Sequence, residues 1–237
     1  MALKEIEYDK KKFKISYNIE GKGDRAILIL HGWGSNKEIM SKNLSPHFKI
    51  LKQIYIDLPG FGNSPNEYFL KTNDYAEIVK KFLKEINQEV DIVAGHSFGG
   101  KVATLMKPNN LVLLSSAGIL VPKPLDVKIK IALSKIFKNL GLSKINKIFV
   151  ANDAKEMNEG MYETFKYVVN EDFEDNFKNY QGKALLFWGK DDTATPLWTG
   201  EKINNLISNS KLYPLDGDHF FFVKHSKFIA QTIENEL

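Results

Sequence analysis

The stretch that decides the fold is residues 95–99, which read Gly-His-Ser-Phe-Gly and fit the pattern G-x-S-x-G. An apolar run, residues 90–94, precedes it, and a helical pattern over residues 98–106 follows. A serine on a tight turn from strand to helix projects its hydroxyl above the edge of a sheet. Glycines on both sides let other backbone approach such a corner. In this context the pattern predicts that Ser97 is a nucleophile.

Similar apolar runs recur along the chain, and each ends close to a glycine. They cover residues 26–30, 52–58, 90–94, 111–115 and 184–188. Strands buried on both faces lose the alternation of apolar and polar residues, which is typical of parallel sheets covered by helices. Helical patterns such as residues 73–86 separate the runs, so the sequence predicts an open α/β sheet with its site at the carboxyl ends of the strands. Residues 6–8 and 14–19 alternate more cleanly and predict an antiparallel edge.

One interval, residues 121–180, contains no run of this kind. Residues 127–140, 144–150 and 154–169 have helical character instead, and Pro122 and Pro124 interrupt the chain at the entry. The pattern predicts a helical insertion between two late strands. The chain then divides into a core, residues 1–120 and 181–237, and an insertion, residues 121–180.

The composition excludes several classes of function. Cysteine is absent, which rules out a thiolate metal site and a cysteine nucleophile. The net charge of +4 comes from lysine, because Arg25 is the only arginine, and arginine is the usual residue for recognising phosphates and base edges. The lysines are mixed with Asp and Glu, so no nucleic-acid partner is expected. The carboxylates and histidines are not spaced as metal ligands are. The glycines do not form a nucleotide-binding pattern. No metal or cofactor is therefore expected.

The apolar runs also bear on location. All are far shorter than the roughly 20 residues that cross a bilayer. The first residues carry charges where a secretory signal has a continuous apolar stretch. We therefore expect no membrane insertion and a cytoplasmic protein.

These motifs resemble the α/β-hydrolase family over nearly the whole chain. In that family an acid and then a histidine follow the nucleophile in sequence. Residues 189–196, Gly-Lys-Asp-Asp-Thr-Ala-Thr-Pro, resemble the family's acid loop, in which the acid lies three residues after the glycine and four before the proline. The resemblance implies Asp192 as the acid, with Asp191 as the competing carboxylate. His219, in the loop after a last short strand predicted at residues 211–215, is third in the order and is the expected base.

An oxyanion hole needs two N–H donors. The residue after the nucleophile, Phe98, supplies one, and the loop after an early strand supplies the other. That loop is residues 31–34, His-Gly-Trp-Gly, and by resemblance its donor is the Trp33 N–H, with the indole lining the acyl pocket. His31 is expected to brace this loop. Residues 57–64 resemble another stretch of the family, Asp-x-x-Gly-x-Gly-x-Ser, to which we assign a scaffold role centred on Asp57.

The insertion resembles the family's cap, which covers the site and shapes specificity. We expect Met157, Met161 and Phe165 to contact substrate together with Trp33, and an apolar roof favours an acyl chain or aromatic group. The resemblance implies a serine hydrolase that cleaves carboxylic esters of small to medium apolar acyl or aromatic substrates through an acyl-enzyme, without a cofactor.

Three alternatives remain open on the sequence. One is an esterase or thioesterase acting on groups bound to an acyl carrier protein, which a basic cap face could receive. That face comprises Lys123, Lys128, Lys130, Lys135, Lys138, Lys144 and Lys147. A carbon–carbon bond hydrolase of the meta-cleavage type is the second. A ligand receptor that keeps the hydrolase pocket without catalysis is the third.

Overall fold

The computed structural model describes residues 2–121 and 157–237. Eight strands in this part form one sheet. They are β1 (Ala2–Tyr8), β2 (Lys11–Glu20), β3 (Ala26–Leu30), β4 (Lys52–Ile56), β5 (Ile92–His96), β6 (Asn110–Leu114), β7 (Lys183–Gly189) and β8 (Ser210–Leu215). The described helices are α1 (Lys37–Leu44), α2 (Thr72–Glu85), α3 (Phe98–Met106), α4 (Glu159–Val168), α5 (Glu174–Lys178), α6 (Leu197–Leu206) and α7 (Phe222–Glu236). Within these residues, no helix has the length and apolar character needed to cross a membrane.

The strand order is β1-β2-β4-β3-β5-β6-β7-β8, and it confirms the predicted α/β sheet. Strands β1 and β2 form an antiparallel edge, β2 is antiparallel to β4, and all other pairs are parallel. From β3 the chain proceeds to β4 on one side, whereas from β5 it proceeds to β6 on the other. This reversal opens a crevice at the carboxyl ends of β3 and β5, which is where ligands bind in sheets of this kind.

Burial on both faces explains why the central strands read as continuous apolar runs. Every residue of β3 and β5 is buried. Neighbouring residues point to opposite faces: Leu28 packs in a core with residues of α2 and α3, and Ile27 packs in a second core with residues of α1 and α7. Helices therefore cover both faces of the sheet.

Some element boundaries differ from the sequence prediction. Strand β5 extends through Gly95 to His96 instead of ending at residue 94, because His96 still pairs with Leu114 of β6. Glycine has no apolar side chain that would indicate a buried strand, so the apolar run in the sequence ends before the strand does. Helix α2 begins at Thr72, one residue before the predicted start, where the Asp74 carboxylate accepts a hydrogen bond from the Lys71 N–H.

Only part of the predicted insertion can be compared. The predicted helices at residues 127–140 and 144–150, and the first residues of the one at 154–169, lie outside the described residues. The rest of the third helix is present as α4. Helix α5, which the sequence analysis did not predict, follows it before β7.

The scaffold role expected for Asp57 is confirmed by its contacts. Its buried carboxylate accepts from the Lys37 N–H at 2.8 Å and from the Asn63 N–H at 3.0 Å. The Lys37 side chain, also fully buried, donates from Nζ to Asp57 Oδ2 at 2.8 Å. This pair joins the start of α1 to the loop after β4. Each charge neutralises the other, which allows both to be buried away from water.

Replacing Lys37 with methionine tests this pair. Lys37→Met leaves the Asp57 charge buried without its partner, so we expect the free energy of unfolding to fall by about 3–5 kcal/mol in urea titrations. The double variant Lys37→Met/Asp57→Asn should lose clearly less than the sum of the two single variants. Lys80→Met, which removes the exposed pair with Glu77, is the control and should cost less than about 1 kcal/mol. Equal losses for Lys37→Met and Lys80→Met would contradict the role of the buried pair.

Candidate active site

Ser97 lies on a strained turn between β5 and α3. Its φ of 51° and ψ of −116° are in a region that residues with a side chain rarely adopt. The turn is held by three backbone hydrogen bonds: the Ser97 N–H donates to the Leu114 carbonyl at 3.1 Å, and its carbonyl accepts from Gly100 and Ala117, each at 3.0 Å. The surrounding backbone therefore fixes the serine at the carboxyl end of the sheet.

The glycines of the motif are required by close contacts. A Cβ at Gly95 would lie 2.2 Å from the Gly99 carbonyl oxygen, and one at Gly99 would lie 2.6 Å from the His31 carbonyl oxygen. Neither distance is compatible with a side chain. The first turn of α3 consequently rests directly against the end of β3.

Asp192 and His219 meet at the carboxyl ends of the last two strands. Asp192 follows β7 and His219 follows β8, and the His219 Nδ1 lies 2.7 Å from Asp192 Oδ2. A carboxylate accepts, so Nδ1 carries the proton and Nε2 keeps its lone pair. The competing carboxylate, Asp191, is exposed, and its N–H donates to the Gly217 carbonyl. The structure therefore brings Asp192 and not Asp191 to the histidine.

The Asp192 carboxylate is also held by its own loop. Oδ1 accepts from the N–H groups of Ala194 and Thr195 at 2.8 and 2.9 Å, and Oδ2 accepts from the Thr195 hydroxyl at 2.8 Å. Burial by itself raises the pKa of Asp192, but the hydrogen bonds from His219 and Thr195 outweigh it and lower the pKa to about 2. The group is thus a carboxylate at neutral pH.

Two contacts bring Ser97, the loop of His219 and the loop of residues 31–34 together. A Cβ on Gly32 would lie 3.1 Å from Ser97 Cβ, so the loop of residues 31–34 lies against the serine. The side chain of His96, which directly precedes Ser97, lies 2.9 Å from the His219 carbonyl oxygen. All three parts line the crevice that the strand order opens between β3 and β5.

The N–H groups of Trp33 and Phe98 are free to serve as donors. Among the described residues neither has a hydrogen-bond acceptor. Phe98 is the first residue of α3, where the helix dipole places partial positive charge. His31 braces the loop of Trp33, residues 31–34, as expected. Its Nδ1 donates to the Gly32 carbonyl at 2.7 Å, and its Nε2 accepts from the Leu58 N–H at 3.0 Å.

A cavity of about 490 Å³ opens beside this loop. Its described lining is Trp33, Gly34, Gly60, Phe61, Met157, Asn158 and Met161. Three of the four predicted substrate-contacting residues therefore share one wall. The fourth, Phe165, is not part of that lining and instead packs its ring against Trp33 with centroids 5.4 Å apart. Met161 is only 5 % exposed, because its thioether packs on Asn66 and Tyr75, so most of this side chain belongs to the core.

Comparison with known proteins identifies the family. The model of the alpha/beta hydrolase family matches residues 27–232. This chain belongs to that family. In the described part of this alpha/beta hydrolase, no group of three or more His, Asp or Glu side chains is arranged to hold a metal ion.

The curated relatives include two kinds of hydrolase. A pimeloyl-[acyl-carrier protein] methyl ester esterase of Yersinia enterocolitica is 36% identical over 94 residues, which are 38% of this chain and 34% of that protein. The chain thus spans about a third of the length of that esterase. A 2-hydroxy-6-oxononadienedioate/2-hydroxy-6-oxononatrienedioate hydrolase of Pseudomonas putida is 25% identical over 238 residues, or 84% of this chain and 82% of that protein.

Solved structures show the same fold at low sequence identity. Est816, described as an N-acyl homoserine lactone degrading enzyme, superposes with a TM-score of 0.76 at 19% identity, over 99% of this chain and all of that one. A thermophilic esterase from Thermogutta terrifontis superposes with a TM-score of 0.73 at 15% identity, over 99% and 97% of the two chains. These likenesses concern the fold alone.

One buried charge near Ser97 in this alpha/beta hydrolase was not predicted from the sequence. Lys101 of α3 is 1% exposed, and its Nζ lies 2.8 Å from both the Val168 carbonyl oxygen and Glu171 Oε2. Its two contacts join α3, the helix that follows Ser97, to the end of α4 and the segment after it. A signal was present, since Lys101 is the single charge in an otherwise apolar helix, and a helix that is apolar all round is buried.

The lowered pKa of Asp192 predicts how stability depends on pH. The unfolded carboxyl has a pKa near 3.8 and the folded one about 2. The ionised group therefore contributes about 2 kcal/mol of stability above pH 4, which is lost as the pH falls towards 2. Urea titrations from pH 5 to pH 2 should show a shallower loss of stability for Asp192→Asn than for the wild type. Asp191→Asn should follow the wild type, and parallel pH dependence of all three proteins would contradict the assignment.

Proposed function

We propose that this alpha/beta hydrolase is a serine hydrolase that cleaves carboxylic esters of small to medium apolar acyl or aromatic groups through an acyl-enzyme. One observation carries the proposal: His219 Nδ1 donates to Asp192 Oδ2 at 2.7 Å. The His219 carbonyl oxygen is in turn bonded to His96, the residue that precedes Ser97. Ser97, Asp192 and His219 are the catalytic residues in this proposal. The backbone N–H groups of Trp33 and Phe98 form the oxyanion hole.

Acylation uses the free lone pair on His219 Nε2. This nitrogen takes the proton of the Ser97 hydroxyl while Oγ forms a bond to the ester carbonyl carbon and the π electrons move to the carbonyl oxygen. The carbonyl then reforms, the bond to the leaving alkoxide breaks, and His219 returns the proton to that alkoxide. The products of this half-reaction are an alcohol and an acyl group on Ser97.

Deacylation repeats these steps with water. His219 removes a proton from water as the water oxygen attacks the acyl carbon, and then protonates Ser97 Oγ as the carboxylic acid departs. Asp192 remains ionised throughout and stabilises the imidazolium that forms in each half-reaction. Negative charge on the tetrahedral oxygen is stabilised by the Trp33 and Phe98 N–H groups, and loss of one such donor typically costs about 10²- to 10³-fold in rate.

The cavity beside Trp33 supports an uncharged, apolar acyl or aromatic group. None of its described lining residues is charged, and four of the seven are Trp, Phe or Met. Such a wall offers dispersion contacts but no opposite charge to pair with a charged group. Met157 and Met161 supply the wall from the cap that we propose for residues 121–180, above a core of residues 1–120 and 181–237. The Phe165 ring packs against the Trp33 indole.

The relatives define two further candidates. The esterase of Yersinia enterocolitica favours a methyl ester carried on an acyl carrier protein; the lysines of the expected basic cap face lie outside the described residues. The Pseudomonas putida relative favours carbon–carbon hydrolysis, but by its name it acts on dioates. A dioate has two carboxylates, and the second one needs a cation as its partner in the cavity. None of the described lining residues is a cation. We therefore place simple carboxylic esters first.

Hydrolysis of p-nitrophenyl esters of graded chain length tests the proposal. We expect turnover of the acetate-to-octanoate series, and loss of at least about 10³-fold in kcat for Ser97→Ala, because the variant lacks the hydroxyl that accepts the acyl group. A fluorophosphonate probe, from which the serine oxygen displaces fluoride, should label the wild type and neither Ser97→Ala nor His219→Ala. Equal activity of the wild type and Ser97→Ala would refute the nucleophile. Tight ligand binding without turnover of any ester would support a receptor instead.

Two neighbouring carboxylates provide a matched test of the acid. Asp192→Asn should lower kcat by up to about 10⁴-fold, because a neutral amide no longer selects the histidine tautomer with the proton on Nδ1 or stabilises its charged form. Asp191→Asn, one residue away and exposed, should retain wild-type kcat and KM. Steady-state kinetics on the best p-nitrophenyl ester compares the two. A larger loss in Asp191→Asn than in Asp192→Asn would exchange their roles.

A further inference from the structure

The imidazole of His96 is buried between the two loops that meet at the site. His96 is the last residue of β5, directly before Ser97, and is 1% exposed. The mechanism proposed above gives it no proton to move. A buried titratable side chain beside the reacting groups nevertheless needs a physical explanation, because an apolar residue would fill the same space without the cost of burying polar atoms.

One edge of the ring is bonded to the base loop. His96 Nε2 lies 2.9 Å from the His219 carbonyl oxygen, and because a carbonyl only accepts, Nε2 carries the proton and donates. The two imidazole rings lie with centroids 4.6 Å apart. The ring is also in contact with Phe220 and Phe222, at 5.3 and 5.0 Å between centroids, so it has little room to turn.

The opposite edge of the ring faces the loop of residues 31–34. His96 Nδ1 has no hydrogen-bond partner among the described residues. A Cβ on Gly32 would lie 2.8 Å from this nitrogen and 3.3 Å from His96 Cε1, so the backbone of the loop lies directly against the ring. The ring therefore separates the loop that carries the Trp33 N–H from the loop that carries His219.

The ring stays neutral in this position. Burial is the main cause that lowers the pKa of His96, the nearby His219 lowers it further, and the value is about 3. The titratable groups that act on the ring are His219, Asp192 and His31. A neutral ring with its proton on Nε2 keeps the same donor over the whole range in which an imidazole base works.

We propose that His96 is a positioning residue that fixes the His219 backbone by its Nε2–H bond and sets the spacing between the base loop and the oxyanion loop. The consequence for catalysis rests on the proposed function, whereas the bond itself does not. Without the donor, the segment around His219 loses the one side-chain hydrogen bond that joins it to β5 among the described residues. A displacement of about 1 Å in a reacting group typically costs about 10²-fold in rate.

Methionine and glutamine at position 96 form a matched pair of similar length. The Gln amide nitrogen reaches about as far as His Nε2 and keeps a donor for the His219 carbonyl, whereas Met keeps apolar bulk without a donor. We expect His96→Met to lower kcat and the rate of fluorophosphonate labelling by about 10- to 100-fold with little change in KM. His96→Gln should restore both rates to within about 5-fold of wild type. Both variants are compared at matched thermal stability, so that a folding defect is not read as a catalytic one.

Two kinetic results would overturn the assignment. One is a His96→Met enzyme with wild-type kcat and labelling rate. The other is a pair of folded variants that are equally slow, since the donor would then be irrelevant.

Nitrogen-15 spectra of the imidazole rings test the bond without any turnover. In the wild type, His96 should show a protonated Nε2 and an unprotonated Nδ1 without change from pH 8 to pH 5. In His96→Met, the signal of the His219 Nδ1 proton should shift or disappear, and in His96→Gln it should return. A His96 ring that titrates in this range, or that carries its proton on Nδ1, would refute the inference. If Ser97→Ala instead kept full activity, the proposed function would fail while these spectra still decided the role of His96.

Discussion

The close approach of α3 to the ends of β3 and β5 is the constraint on which the site depends. It is possible only because two glycines leave room: a Cβ on Gly99 would lie 2.7 Å from the Leu30 carbonyl oxygen, and one on Gly95 would lie 2.3 Å from the Gly99 carbonyl carbon. The turn between strand and helix is therefore tight, and Ser97 adopts a positive φ. As a result, the serine, the start of a helix and the loop after β3 occupy one small volume at the point where the sheet reverses its order.

Asp192 and His219 reach this volume from strands far along the chain, and hydrogen bonds hold them there. The loop of Asp192 is anchored to β7 by the Trp188 indole, which donates to the Thr195 carbonyl at 2.7 Å. The Thr195 hydroxyl also lies 3.1 Å from the Ser115 carbonyl oxygen, beyond β6. His219 is bonded on one side to Asp192 and, through its backbone, to His96. Asp192 and His219 are thus each oriented by neighbours that belong to the sheet or its adjoining turns.

Buried charges on either side of the crevice serve the same purpose. Lys37 and Asp57 join α1 to the loop after β4, and Lys101 joins α3 to the segment around Glu171. Such pairs bring little net stability relative to apolar packing, yet losing one partner is costly. They therefore restrict the surrounding backbone to the arrangement that satisfies both charges. Composition does not reveal which lysines are buried: Lys101 stands out as the single charge of the apolar α3, whereas Lys37 lies in a helix with other charged residues.

The sequence by itself determined the central strands and the turn at residues 95–99, because each of them depends on residues that are neighbours in the chain. The apolar runs predicted the central strands because burial on both faces leaves a local signature, and residues 95–99 predicted the turn because glycine freedom is a local property. Only the tertiary structure decided which side chains meet across the crevice: Asp192 and not Asp191 beside His219, His96 against Gly32, and Met161 partly in the core. These contacts join residues distant in the chain. Their geometry follows from strand order and loop shape, which no short stretch of sequence encodes.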